Sequence, residues 1–212
     1  MTKTAATEAA RRGLDVTLFD AASEIGGQFN IAKQVPGKEE FYETLRYFGK
    51  QIELTGVKLQ LGRKVAAQDL VAAGFKQVVL ATGIVPRVPE IEGVNHPKVL
   101  GYLDVLRDKK PVGKTVAVIG AGGIGFDVSE YLLHEGVSPS LDKTKFFAEW
   151  GVDTTGANRG GLQEAHLGEI PRKIYLLQRK TSKVGDGLGK TTGWIHRTSL
   201  KNRHVEMVPG VQ

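Results

Sequence analysis

The 212-residue sequence contains no cysteine and only two methionines. Without cysteine, this chain cannot form disulfides, use a thiol for catalysis, or hold an iron–sulfur cluster or a cysteine-bound zinc. The five histidines show no metal-ligand spacing, so we expect no metal site. No apolar run approaches the roughly 20 residues that span a bilayer, and no apolar signal core follows Met1. We therefore expect a cytoplasmic protein that has no membrane partner.

Acidic residues are scarce in one part of the chain. The net charge is +6, and residues 171–205 hold nine Lys or Arg residues against one acid, Asp186. Such a basic segment can bind nucleic acid or a phosphorylated small molecule, or it can be a solvated face. Few aromatic residues are interleaved with it (Tyr175 and Trp194), so we expect no nucleic-acid partner.

A β-branched strand followed by a glycine-rich turn is the most informative pattern present. Residues Thr115–Ile119 run directly into Gly-x-Gly-x-x-Gly, and a helical pattern follows at Phe126–His134. The first glycine permits the tight turn, the second lets backbone N–H groups reach a pyrophosphate, and the third lets helix and strand pack closely. The alternative is a glycine-rich turn without a ligand. The predicted phosphate-binding residues are Gly120, Gly122, Gly123 and Gly125.

The residues after the next predicted strand, Lys173–Gln178, indicate which dinucleotide binds. An NAD site places an acid there to bind the ribose 2′-OH, whereas this chain has Arg179 and Lys180. A guanidinium binds a 2′-phosphate in bidentate fashion and stacks on adenine, so this pair predicts NADPH. The alternative is that both side chains only face water. Arg179 lies 59 residues past Gly120, and we interpret residues 136–171 as an insertion.

A second glycine-rich segment, Gly185–Trp194, superficially resembles a nucleotide-hydrolase phosphate loop because Gly189 is followed by Lys190 and Thr191, but it lacks the four-residue spacer of that pattern. Such a loop normally follows the first strand of its domain, and this one follows the second strand. We therefore interpret it as a loop over the nicotinamide dinucleotide, with Lys190 near phosphate and Trp194 stacking or packing.

The chain is predicted to be an α/β protein with two Rossmann-like units. Residues 1–110 form a truncated FAD-binding unit that lacks its first strand and glycine turn, and residues 111–212 form the NADPH-binding unit. In the first unit, Asp20 ends a strand and can accept a hydrogen bond from a ribose, or cap a turn. A buried strand is predicted at Gln77–Ala81. The other candidate cofactor residues of this unit are Gly27, Gln28, Thr82 and Gly83.

Longer runs of residues resemble the bacterial NADPH-dependent 2,4-dienoyl-CoA reductases, relatives of trimethylamine dehydrogenase. The likeness covers nearly the whole chain and is more specific than the Rossmann glycines. The matching runs are Val16–Asp20, Ser23–Gln34, Pro36–Tyr47, His96–Leu100, Tyr102–Asp108 and Leu188–Thr198.

The resemblance implies an oxidoreductase of unsaturated fatty acid β-oxidation, built as a flavoprotein disulfide-reductase-like fold. In that family an N-terminal barrel carries FMN and the catalytic acid, and a cysteine set holds an iron–sulfur cluster. The C-terminal half binds FAD and NADPH. By position, Asp20 and Gln28 resemble FAD contacts, Val65 an adenine-side contact, and Trp194 an NADPH contact.

The departures from this family limit what the chain alone can do. The barrel, the cysteines and the FAD phosphate turn have no counterpart in these residues. We expect that NADPH binding is retained, that FAD binding is weak or absent, and that the isolated chain is inactive on dienoyl-CoA. The missing barrel is the expected partner, and we assign no catalytic residue. Another flavoprotein reductase part, such as a glutamate-synthase small subunit, remains the alternative.

Overall fold

The computed structural model describes residues 2–212 and divides the chain into two compact units. Unit 1 comprises the residues up to Lys33 together with Glu40–His96, and unit 2 comprises Gln34–Glu39 together with Pro97–Gln212. Each unit combines helices with a parallel sheet, so the predicted α/β class is confirmed.

Unit 1 contains a two-stranded parallel sheet flanked by helices. Its core consists of four buried side chains that pack together: Ala6, Leu18, Ile52 and Val57. The longest helix places Ile52 on its buried face and ends at Gly56, whose left-handed φ of 70° glycine adopts without strain. The elements are α1 (Thr2–Arg11), β1 (Thr17–Phe19), α2 (Gln28–Ala32), α3 (Phe41–Thr55), β2 (Lys58–Gln60) and α4 (Ala67–Ala72).

The predicted buried strand at Gln77–Ala81 is wrong for the described chain. These residues form no strand, and Val79 and Leu80 are 71% and 79% exposed. A strand persists only where a neighbour takes up its backbone hydrogen bonds, and the sheet of unit 1 contains only β1 and β2 among the described residues. The apolar residues of this segment are typical of a buried strand, but no described strand of unit 1 pairs with the segment.

Unit 2 is built on a three-stranded parallel sheet in the order β3-β4-β5. Ile119 lies opposite Leu177, and Gln178 lies opposite Pro209, so the carboxyl ends of all three strands meet at one edge. The strands predicted at 115–119 and 173–178 are confirmed at those bounds. The elements are α5 (Tyr102–Leu106), β3 (Thr115–Ile119), α6 (Gly123–Leu132), α7 (Lys143–Glu149), β4 (Lys173–Gln178), α8 (Gly193–Asn202) and β5 (Glu206–Pro209).

The core of unit 2 lies between its sheet and the helices α6 and α8. The side chains that are almost completely buried there include Phe126, Leu133, Ile174, Leu176 and Leu200. Burying a large aliphatic or aromatic side chain contributes about 1.5–3 kcal/mol. The N-terminal turn of α6 is therefore held firmly against the sheet, which fixes the position of the glycine turn before it.

Residues 136–171 connect α6 to β4 and contain α7 and two short 3₁₀ turns. Asp142 caps α7 by accepting hydrogen bonds from the backbone N–H groups of Thr144 and Lys145. Asp153 accepts three more, from the backbone and hydroxyl of Thr155 and from the backbone of Asn158. These hydrogen bonds to the charged form lower the pKa of Asp153 to about 2. The segment is thus ordered by its own polar contacts.

Candidate functional site

The turn after β3 has the geometry that a phosphate cradle requires. Gly120 continues the hydrogen bonding between β3 and β4 by donating its N–H to the carbonyl of Leu177 at 3.0 Å. Its φ of +104° then turns the backbone away from the strand direction. Residues with a Cβ rarely adopt that conformation, so the sequence needs glycine here. The chain is thereby redirected from the strand into α6 within three residues.

The remaining glycines of the turn differ in what surrounds them. A Cβ at Gly125 would lie 1.9 Å from the carbonyl oxygen of Gly120, so only glycine lets α6 pack this closely. A Cβ at Gly122 or Gly123 would meet nothing within 4 Å, which leaves open space beside the turn. Gly122 is the N-cap of α6 and has no side chain to occupy the first N–H groups. The positive end of a ten-residue helix therefore faces open space.

Arg179 and Lys180 directly follow β4 at the same edge of the sheet. Both side chains are exposed, while their backbone is tied down. The carbonyl of Lys180 accepts hydrogen bonds from the Gln178 side chain and from the Gly210 N–H, both at 3.0 Å. The Gln178 amide also donates to the carbonyl of Ser182 at 2.8 Å. Two positively charged residues thus lie at the end of β4, next to the glycine turn, on backbone that these hydrogen bonds hold in place.

The second glycine-rich segment packs on the first turn of α6. A Cβ at Gly185 would lie 2.7 Å from the ring of Phe126, and Arg197 donates to the Gly185 carbonyl at 3.0 Å. Lys190 is exposed, and Trp194 is 55% exposed in the first turn of α8, with its indole N–H bonded to the Thr191 carbonyl. The segment lies between β4 and α8, not after β3, where a hydrolase phosphate loop would lie.

A buried polar contact between α6 and α8 was not predicted from the sequence. The Ser199 hydroxyl donates to the Glu130 carboxylate at 3.1 Å, and Glu130 is 7% exposed. Burial raises the pKa of Glu130 to about 7, although the bond from Ser199 and the charge of Arg203 oppose the rise. Its position one turn after the buried Phe126 is the sequence signal for this burial.

In unit 1, Asp20 follows β1 as predicted. Its carboxylate accepts a hydrogen bond from the backbone of Ala22 at 3.0 Å, so in this structure it caps its own turn. Gly27 has φ of +53° and precedes Gln28, the first residue of α2. The Arg63 N–H bonds the Asp20 carbonyl, which brings the segment leading to Val65 beside this turn.

Thr82 and Gly83 belong to the exposed segment described above. Both residues are exposed, and Gly83 has φ of +79°. No strand of the described chain carries them toward the turn of Asp20. Their assignment as FAD contacts stays a prediction.

Comparison with known proteins identifies the class of protein that this fold and glycine turn define. The model of the pyridine nucleotide-disulphide oxidoreductase family matches residues 3–212, and this chain belongs to that family. Bilirubin reductase of Mediterraneibacter gnavus is 34% identical over 137 residues, which cover 65% of this chain and 21% of that protein. NADH oxidase of Thermoanaerobacter brockii is 31% identical over 193 residues, which cover 85% of this chain and 29% of that protein.

A solved structure supports the same fold. The complex of 2-naphthoyl-CoA reductase with 2-naphthoyl-CoA matches with a TM-score of 0.75 at 24% identity, covering 99% of this chain and 26% of that one. This chain therefore spans less than a third of the length of these relatives. The family's cofactors are FAD and NAD(P)H. None of the helices in residues 2–212 combines the length and the apolar character that crossing a membrane requires.

Proposed function

We propose that unit 2 binds NADPH at the carboxyl edge of its sheet. The observation that carries this proposal is the pairing of an open glycine turn with two cations at the next strand end. Gly122 leaves room for a pyrophosphate, and Arg179 and Lys180 supply positive charge where an NAD site would have an acid. The neighbouring Lys190 and Trp194 are then available to the phosphates and to the rest of the dinucleotide.

The role of this site is to position the dinucleotide. NADPH, when bound, supplies a hydride to a flavin. The chain's own part is to hold the pyrophosphate with the first N–H groups of α6 and to hold the 2′-phosphate with Arg179 and Lys180. We assign no acid or base to the reaction, because hydride transfer between cofactors requires orientation more than proton transfer.

We propose that unit 1 contributes contacts to FAD but binds it weakly by itself. Asp20, Gly27 and Gln28 lie along the connection from β1 to the start of α2, whereas Thr82 and Gly83 lie on a segment that has no strand partner in unit 1. Residues 1–96 contain no Gly-x-Gly-x-x-Gly sequence, so these residues offer no counterpart of the cradle in unit 2.

We propose further that the chain is the NADPH-binding region of a larger enzyme similar to 2,4-dienoyl-CoA reductase of fatty acid β-oxidation. The long runs of matching residues support this assignment. Acyl reduction would then need a barrel with FMN and an iron–sulfur cluster, so this chain alone is expected to be inactive on dienoyl-CoA. A trimethylamine dehydrogenase-like or glutamate-synthase-like reductase is the alternative. A coding sequence for a barrel directly upstream would favour the first assignment.

Isothermal titration with NADPH, NADH and FAD tests the cofactor assignment. We expect NADPH to bind more tightly than NADH, and FAD to bind weakly. Arg179→Gln removes a charge-assisted contact of about 1.5–3 kcal/mol, so NADPH affinity should fall roughly ten- to hundredfold while NADH affinity changes little. Lys183→Gln, which removes a nearby exposed charge, is the matched control. Equal affinity of the wild-type protein for both dinucleotides would contradict the assignment of Arg179 and Lys180.

A further inference from the structure

A cavity in unit 2 lies away from the glycine turn. It is open to solvent, has a volume of about 380 Å³, and is lined by the end of α6 and the residues after it, by Val105 of α5, by the residues that precede β3, and by the residue that precedes β4. It therefore lies at the amino edge of the sheet, whereas the glycine turn lies at the carboxyl edge. Its volume falls within the range of small-ligand pockets.

Three cations line this cavity: Lys109, Lys110 and Arg172. The acidic side chain in the lining is Glu135, which lies 3.4 Å from the Arg172 guanidinium, and Asp104 lies 2.5 Å from Lys110. Asp108 and Arg107 also act on Lys110, so four positive charges stand against three negative ones. Burial lowers the pKa of His134, which also lines the cavity, and this favours its neutral form.

Arg172 uses one nitrogen of its guanidinium, Nη1, for the hydrogen bonds that are seen. Its Nη1 donates to the Leu132 carbonyl at 3.0 Å and so holds the end of α6. Its Nε is buried and has no hydrogen-bond partner among residues 2–212. A buried donor without an acceptor is unfavourable, and the Nε edge of a guanidinium matches a phosphate or carboxylate. An anion in the cavity would supply the acceptor that this edge lacks.

Lys109 is held in a left-handed conformation with φ of 53°. Only His204 shares this property among non-glycine residues of the described chain. The conformation places the Lys109 ammonium 4.6 Å from the centre of the Tyr131 ring and 3.0 Å from the Gln34 side-chain oxygen. Backbone strain of this kind is common at ligand sites. Here the strained residue and the aromatic residue that it contacts both line the same cavity.

We propose that this cavity binds a phosphate monoester of a small organic molecule, at a site separate from the dinucleotide site. The excess of positive charge suits a phosphate head group, and the unpaired Nε–H of Arg172 lacks the acceptor that a phosphate oxygen supplies. Val105, Pro111 and Val112 line the apolar side of the cavity and would contact the organic part. The proposal is independent of NADPH binding, since none of these residues belongs to the glycine turn or the cation pair that follows β4.

Nuclear magnetic resonance titration of the whole chain with phenyl phosphate tests the proposal, with phenol and inorganic phosphate as comparison ligands. We expect saturable shifts of backbone amides within residues 105–112 and 131–136, and weaker binding of both comparison ligands. Shifts confined to residues 120–125 would place the anion at the glycine turn and overturn the proposal. Equal binding of phenol or of inorganic phosphate would also overturn it.

Lys109→Gly is the informative variant because it removes the cation and relieves the backbone strain, so the fold should be kept. We expect it to weaken phenyl phosphate binding by about tenfold, the effect of losing one charge-assisted contact. His204→Gly relieves the same type of strain outside the cavity and should leave binding unchanged. Unaltered binding by Lys109→Gly, or an equal loss in both variants, would refute the role of Lys109.

Discussion

Glu130→Gln is expected to stabilise the protein at alkaline pH by removing a buried charge. The folded protein holds the Glu130 proton up to about pH 7, whereas the unfolded chain releases it near pH 4.5. Because the folded state binds more protons in this window, the free energy of unfolding falls as the pH rises through it. At 1.36 kcal/mol per pH unit, the ionised carboxylate costs roughly 3 kcal/mol above pH 7. Glutamine has the same size and avoids that cost.

Urea unfolding at pH 5 and pH 8, followed by circular dichroism, measures this effect. At pH 5 the two proteins should differ by about 1 kcal/mol or less, and at pH 8 the variant should be more stable by roughly 3 kcal/mol. Glu90→Gln changes an exposed carboxylate in an irregular segment and should show no such pH dependence. A variant that is equally stabilised at both pH values, or destabilised at pH 8, would refute the reasoning.

Three further outcomes are expected. Gly125→Ala should destabilise the protein by about 3 kcal/mol in thermal unfolding, because its Cβ would meet a backbone carbonyl, whereas Gly123→Ala has open space and should fold normally. Asp153→Asn should lower the melting temperature at pH 7, and its difference from wild type should narrow as the pH falls from 5 toward 2, since the unfolded chain takes up a proton near pH 3.8 and the folded carboxylate only near pH 2. NADPH should quench the fluorescence of Trp194, so Trp194→Phe should lose most of the quenching while Trp150 remains; an unchanged signal would contradict the contact.

The strands beside the glycine turn were predictable from the sequence because each is a short β-branched or apolar run bounded by turn residues. Residues 115–119 and 173–178 are such runs, and the spacing of the glycines adds a steric requirement that Gly120 and Gly125 meet. Local sequence therefore determined both the strands and the turn between β3 and α6.

The segment at 77–81 shows why the same reasoning failed elsewhere. Its apolar residues carry the pattern of a buried strand, but burial depends on a neighbouring strand, which the local pattern does not reveal. The contact between Glu130 and Ser199 was missed for a related reason. It joins two helices that are distant in sequence, and only their packing brings the carboxylate and the hydroxyl together.

The exposed stretch from Gln77 to Pro86 contains no charged residue, while Lys76 and Arg87 flank it. Unpaired apolar segments with low charge readily associate with copies of themselves at high concentration. We therefore expect concentrated solutions of this chain to precipitate through this stretch, and a charged substitution at Val79 to raise the concentration that remains in solution.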